Sequence, residues 1–325
     1  MANRLLVLFI AAQLAAVSVF AASPPVSKLQ TQLNAIARAH HGKVALFARH
    51  LRSGQTVEID ADRAVRTASV IKLAIMLEAF VERKEGKISF AKKLKLRAED
   101  KVPGSGVLTL LRPGLEITLD DAIVLMMDVS DNTATNLVID ELTIPAINAR
   151  LGRIGLKETR LYKKPYLPAE TPIPAGEESF GIGKSTAREM ARIMEVIGRC
   201  DLQDQEYCTR MVDIMRNQQF RYMIPRLIER SDASETTSAI ADKIGELDDS
   251  RNDVALVFTK SGPIVISIFT WDNKDRSWTA DNEAYLTVAR LAKAIVDAWS
   301  PGGLPPGVKD KAKAGEPPAK AADTK

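Results

Sequence analysis

The chain is expected to fold as an α+β protein: one antiparallel sheet built from both ends of the sequence and flanked by terminal helices, beside an all-helical lobe from its middle. Three observations predict this. β-Rich runs occur at Lys43 to Arg49 and Thr56 to Asp60, then do not return until Ser238. The long stretch between them carries apolar residues at helical spacing. The outermost patterned segments are amphipathic helices, which a sheet with a bare apolar face needs as cover.

Taken in order, Met1 to Arg4 is a short basic start and Leu5 to Phe20 an apolar run broken only by Gln13 and Ser18. Val19-Phe20-Ala21 then puts small residues at a cleavage position before Ala22, the pattern of a secretory signal peptide over residues 1–21. The competing reading, an uncleaved anchor, needs a longer run than this, about 20 residues. A periplasmic or secreted protein with no membrane span after cleavage is expected. Val26 to His40 has helical apolar spacing, and Arg52-Ser53-Gly54-Gln55 turns the two early strands into a hairpin. Helices are expected at Ser69 to Glu85, Leu119 to Met127, Thr133 to Leu142, Ile144 to Ile154, Thr186 to Arg199 and Tyr207 to Gln218. Residues 160 to 185 have no period and are rich in Pro and Gly, so a long ordered loop is expected. Strands return at Ser238 to Ile244, Asp253 to Thr259 and Pro263 to Trp271, followed by a helix from Asn282 to Trp299. From Pro301 onward Pro, Gly, Ala and Lys dominate, as in a disordered tail over 301–325. One catalytic domain over 22–300 follows, its sheet lobe at about 22–64 and 219–300 and its helical lobe at about 65–218.

Composition narrows the chemistry. The net charge of +4 over 325 residues is spread through the chain, with no basic stripe carrying interleaved aromatics, so nucleic acid is not an expected partner. The three histidines are His40, His41 and His50, without HExxH spacing, and the two cysteines are Cys200 and Cys208. Neither set makes a metal site, and no cofactor is expected. His40 and His41 read as a solvated helix end and His50 as an exposed residue before a turn. The cysteines flank a short polar stretch between two helical patterns, where a local disulfide and two free thiols are both compatible with the sequence. Oligomeric state has no signature in the sequence.

A serine enzyme with so little histidine needs another base. Ser69-Val70-Ile71-Lys72 opens an apolar helix with a hydroxyl and a lysine three residues apart, on one face. Free N–H groups at a helix start favour a developing anion. Burial lowers a lysine's pKa until it can accept a proton. The plain alternative is a capping serine and a snorkelling lysine; Ser89-Phe90-Ala91-Lys92 has the same spacing with no apolar helix after it. Met127-Asp128-Val129-Ser130-Asp131-Asn132-Thr133-Ala134-Thr135-Asn136 gathers hydroxyl, carboxylate and amide between two helices. Its plain reading is a capping segment, with Asp128 or Ser130 as the cap.

Together these motifs make the chain resemble the class A β-lactamase and penicillin-recognising serine hydrolase family, whose set is S-x-x-K, S-D-N and K-T-G. Ser130-Asp131-Asn132 follows Ser69 by 61 residues, and Gly104-Ser105-Gly106-Val107-Leu108 resembles the family's GSGIL stretch. For the third motif we choose Lys243-Ile244-Gly245, on a strand ending in a hairpin, over Lys260-Ser261-Gly262 in the next tight turn. The resemblance, which covers roughly residues 26 to 299, implies a β-lactamase-like fold and an acyl-enzyme mechanism on β-lactam amides. It implies Ser69 as nucleophile, Lys72 as base, Ser130 as proton carrier to the leaving nitrogen and Asn132 as partner of the substrate's side-chain amide. Lys243 and Gly245 would belong to the substrate-binding strand, and the N–H groups of Ser69 and Glu246 to the oxyanion hole. Asp131 would be structural.

Two departures from the family stand out. Ile244 replaces a hydroxyl residue that contacts the substrate carboxylate. The loop RLYKKPYLPAETPIPAG lacks the E-x-x-L-N whose Glu activates the deacylating water. By alignment that Glu falls near Lys164 or Pro165, or on Tyr166, and Glu170 is the nearby carboxylate that could substitute. A penicillin-binding or peptidoglycan-peptide acyl enzyme with slow or no deacylation is therefore the alternative, with a β-lactam or such a peptide as the small-molecule partner.

Overall fold

The computed structural model describes residues 27–229 and 238–305, so the expected signal peptide and the chain from residue 306 lie outside the described residues. The elements run α1 (Lys28–Ala39), β1 (Lys43–His50), β2 (Thr56–Ile59), β3 (Val65–Arg66), α2 (Lys72–Lys84), β4 (Lys93–Lys95) and β5 (Glu116–Thr118). They continue as α3 (Leu119–Asp128), α4 (Asn132–Leu142), α5 (Ile144–Arg153), β6 (Arg160–Leu161), β7 (Gly183–Ser185), α6 (Ala187–Gly198) and α7 (Gln205–Arg216). The chain then forms β8 (Ile240–Leu247), β9 (Ser250–Thr259), β10 (Gly262–Trp271) and α8 (Glu283–Trp299). Residues 160 to 185, expected as loop alone, contribute the short strands β6 and β7, and β7 also pairs with β3.

The two ends of the sequence do share one sheet, in the order β2-β1-β10-β9-β8, with β8 at one edge among the described residues. Every pairing in it is antiparallel. Strand alternation gives the sheet two apolar faces. Leu46, Ala255, Ile266 and Ile268 pack on one side against Leu33 of α1 and Val288, Leu291 and Ile295 of α8. Ala45, Val254, Leu256 and Phe269 face the other way, into a core with the middle helices. α6 supplies its stripe at Met190, Ile193, Met194 and Ile197, all on one helical face and buried.

Helix starts follow from local chemistry. The Thr118 hydroxyl accepts from the Asp121 N–H while the Asp121 carboxylate accepts from the Thr118 N–H, a reciprocal cap for α3. Ser27 and Asn282 cap α1 and α8 in the same spirit. α4 is capped by Asp131, whose carboxylate accepts from the Ala134 N–H at 2.8 Å, rather than by Asp128 or Ser130. Ser130 has a left-handed backbone (φ 55°), unlike the extended backbone at Asp131 that an N-cap adopts. Cys200 and Cys208 are joined, tying the end of α6 to the start of α7. Beyond α8 the Gly303 carbonyl accepts from the Lys260 N–H at 3.1 Å, so defined backbone continues into the first residues of the expected tail.

The histidines correct two expectations. His40 is buried against Asn273, with ring nitrogen and amide oxygen 2.9 Å apart. His50 is buried too; its Nε2 lies 2.9 Å from the Ser261 hydroxyl and its Nδ1 accepts from the Ser53 N–H. Burial lowers its pKa. Both rings organise turns.

Candidate active site

α2 is the most enclosed helix of the lobe: every residue from Lys72 to Glu82 is buried. A 3-10 turn over Ala68–Ile71 precedes it, so the regular helix starts at Lys72, three residues later than expected, and the Lys72 N–H donates to the Ser69 carbonyl. Ser69 thus sits on a tight turn, half-buried, after Ala68 in a left-handed conformation (φ 45°). Two contacts press that turn onto the sheet edge. The Asn252 amide of β9 donates to the Arg66 carbonyl at 3.0 Å. Gly245 of β8 lies so close that a Cβ there would stand 2.9 Å from the Ser69 nitrogen and 2.7 Å from the Val70 nitrogen. Any side chain at 245 would push the strand off the serine, which is why this position must be glycine.

Lys72 is fully buried, and its Nζ donates to the Ser130 main-chain carbonyl (2.7 Å), the Ser130 hydroxyl (3.1 Å) and the Asn132 side-chain amide oxygen (3.0 Å). Among the described residues no side-chain hydrogen bond joins Lys72 to Ser69, although the two lie on adjoining turns. From the sheet side, Lys243 Nζ donates to the same Ser130 hydroxyl at 3.2 Å and to the Ile244 carbonyl at 2.9 Å. The Ser130 oxygen therefore stands between two buried amines. Burial, then the neighbouring Lys243 charge, hold Lys72 well below the usual lysine range. Burial also lowers Lys243, to about 8, against the opposing pull of Asp242, Asp253, Glu246 and Asp128. Lys260, the alternative third-motif lysine, sits in the β9–β10 turn.

Every polar residue of the SDNTATN segment has a bond to make. Asp131 is buried; besides capping α4 it accepts from the Val107 and Leu108 N–H groups at 2.6 and 2.8 Å. That clamps the Gly104–Leu108 loop so tightly that a Cβ on Gly106 would lie 2.3 Å from the Asp131 carboxyl carbon. Thr133 accepts from the Val102 N–H. Asn132 donates to the Pro103 carbonyl at 3.2 Å while its oxygen holds Lys72. Asn136 donates to the Pro165 carbonyl at 3.1 Å, fastening the long loop to α4.

The same loop does not deliver Glu170 to the serine. Glu170 is largely exposed and pairs with Lys164 at 3.0 Å, and Lys164 also contacts Asp140. Asp140 lies eight residues beyond Asn132 on α4, about 12 Å along the axis at ~1.5 Å per residue. Glu170 instead lines an outer cavity with Ile144, Asn148, Arg160 and Tyr162. What the loop brings near Asn132 is Tyr166, in a left-handed conformation (φ 59°). Its hydroxyl and the Asn132 amide nitrogen lie 2.6 and 2.7 Å from the point a Gly104 Cβ would occupy.

Glu246 carries more than its main chain. Its carboxylate accepts from the Tyr222 hydroxyl at 2.7 Å and from the Tyr285 hydroxyl, and the Arg251 guanidinium lies 3.6 Å away. Arg251, Tyr222 and Tyr285 were not singled out from the sequence. Arg251 was accessible to it in one step, because a two-residue turn at Asp248-Asp249 sets Arg251 opposite Glu246.

A family model described as the β-lactamase enzyme family matches residues 28–299. The chain belongs to that family. A β-lactamase of Rhodobacter capsulatus is 26% identical over 287 residues, covering 88% of this chain and 92% of its own. The crystal structure of a β-lactamase from Sphaerobacter thermophilus is 28% identical, with TM-score 0.72 over 85% of this chain and 98% of the other. PBP-A, 23% identical with TM-score 0.71 over 85% of this chain and 97% of its own, shares the fold. The α+β architecture expected from the sequence is that of this family.

Proposed function

We propose that this member of the β-lactamase family is a secreted serine hydrolase that opens the cyclic amide of a β-lactam through an ester on Ser69. Lys72 takes the Ser69 proton as the hydroxyl attacks the carbonyl; the N–H groups of Ser69 and Glu246 receive the oxyanion. Ser130 passes a proton to the departing nitrogen, held by Lys243, and Asn132 orients the substrate's side-chain amide. One observation carries this reading: the Ser130 hydroxyl lies within hydrogen-bonding distance of two buried lysines, at 3.1 and 3.2 Å. Two ammonium groups so close in a low-dielectric site oppose each other's charge, which favours a neutral amine on one of them. Lys72 is the more strongly depressed and is the base; Lys243 is the cation.

A second reading concerns release of the acyl group, and the loop favours it. With Glu170 tied to Lys164 and Tyr166 beside Asn132, no carboxylate of the loop has a contact with the serine or its lysines. The ester then persists, as in a penicillin-binding or peptidoglycan-peptide acyl enzyme. Intact-protein mass after mixing with a penicillin, read beside hydrolysis of a chromogenic cephalosporin, separates the two. Rapid product release supports efficient turnover; a long-lived adduct absent from Ser69→Ala supports the second reading. An adduct that survives Ser69→Ala overturns the choice of nucleophile.

A further inference from the structure

Glycine at 104 lets two polar groups crowd one side of the cleft. Gly104 has a left-handed backbone (φ 88°), and the point its Cβ would occupy lies 2.6 Å from the Tyr166 hydroxyl and 2.7 Å from the Asn132 amide nitrogen. Two atoms each that close to one point can be spanned by a single acceptor oxygen at ordinary hydrogen-bond lengths. Both have a proton to give. The Asn132 oxygen accepts from Lys72 Nζ at 3.0 Å, which fixes the amide with its nitrogen toward Gly104. One of its two N–H groups reaches the Pro103 carbonyl at 3.2 Å; the other has no partner among the described residues. The Tyr166 hydroxyl has no hydrogen-bond partner among the described residues either, and the residue is 61% exposed, so the ring is not there to fill the core. Nor is its placement relaxed. A bulky residue at φ 59° is held in the left-handed region, and one residue away the Asn136 amide holds the Pro165 carbonyl at 3.1 Å.

Resting on the proposed acyl-enzyme chemistry, we propose that Tyr166 is a specificity-determining residue: its hydroxyl and the free Asn132 N–H donate together to the carbonyl of the substrate's side-chain amide. Asn132 alone offers that carbonyl one N–H, because its oxygen is bound to Lys72 and its other N–H to Pro103. A carbonyl oxygen has two lone pairs and accepts two such bonds. The second donor thus comes from the same loop that supplies no carboxylate to the serine. An acyl donor without the carbonyl forfeits both bonds, so the pair favours substrates that carry a side-chain amide.

The test compares benzylpenicillin, which carries a side-chain amide, with 6-aminopenicillanic acid, the same bicyclic core with an amine in its place. Second-order rates of ring opening are followed by ultraviolet absorbance at equimolar protein, in the wild type and in Tyr166→Phe, which keeps the ring and removes only the hydroxyl. The wild type is expected to react faster with benzylpenicillin. Tyr166→Phe is expected to lower the penicillin-to-amine rate ratio about fivefold, the worth of one neutral hydrogen bond. A purely structural role would slow both substrates together and leave the ratio where it was. A wild type faster with the amine, or a ratio unchanged or raised in Tyr166→Phe, overturns the role of Tyr166 while leaving the acyl-enzyme reading intact. A wild type that opens neither compound overturns both.

Discussion

The turn that carries Ser69 meets the start of α4 and the loop that carries Glu170 meets its end, yet they are built by opposite rules. Around Ser69 each polar group is buried and has a partner from a different element: Lys72 from α2, Ser130 before α4, Lys243 from the sheet. Around Glu170 the carboxylate is exposed, and its partner Lys164 comes from the same loop and is shared with Asp140. Burial converts charge into chemistry, because desolvation moves a lysine toward neutrality. On the proposed mechanism, the groups for acylation therefore sit in the core, and those for releasing the acyl group have no comparable support.

The largest effects should fall on the buried side. Ser69→Ala is expected to abolish adduct formation, and Lys72→Ala to slow it by about 10²–10⁴, the range for removing a general base, in intact-protein mass kinetics. Equal reactivity of Lys72→Ala would break the contrast. Since Lys243 loses its proton near pH 8, its cation is present below that pH and absent above it. Acylation is expected to fall on the alkaline side through about 8, and Lys243→Arg should move that limb upward, because a guanidinium keeps its proton. A pH profile unchanged by Lys243→Arg would remove Lys243 from the charge-bearing role.

Smaller effects concern the frame. Asp131→Ala removes a helix cap and the acceptor of two further buried N–H groups, so a loss of about 3 kcal/mol in denaturant unfolding is expected. Reducing the Cys200–Cys208 bond, which spans eight residues, should cost about 2.5 kcal/mol by the loop-closure relation, measured as a lowered unfolding midpoint. Smallest of all, Glu170→Gln should leave the deacylation rate unchanged. A marked slowing of acyl release would join the two regions functionally and sink the distinction drawn between them.

Much of this was legible in the residue pattern. Helical spacing placed α3, α4, α5 and α6 within one or two residues, since each buries a continuous stripe. The serine–lysine and SDN motifs stood out because their polar residues occur where apolar ones are expected. The α4 cap was misassigned because Asp128, Ser130 and Asp131 are all competent caps; the left-handed backbone at Ser130 selected Asp131. His50 read as exposed because a residue beside a polar turn normally is, whereas the β9–β10 turn, with Ser261, and the Trp299 ring from α8 enclose it. Short strands β6 and β7 have too few residues to show a period and exist through their pairing.

By itself the sequence determined the order of the long elements and the resemblance to the family, and it nominated the candidate reactive side chains, because these depend on local spacing and residue type. Only the tertiary structure decided that Lys243 rather than Lys260 reaches Ser130, that Glu170 turns outward to Lys164, and that Glu246 and Arg251 oppose one another at the sheet edge. Those outcomes depend on which distant segments share a few ångströms of dehydrated space, and spacing along a chain does not encode that distance.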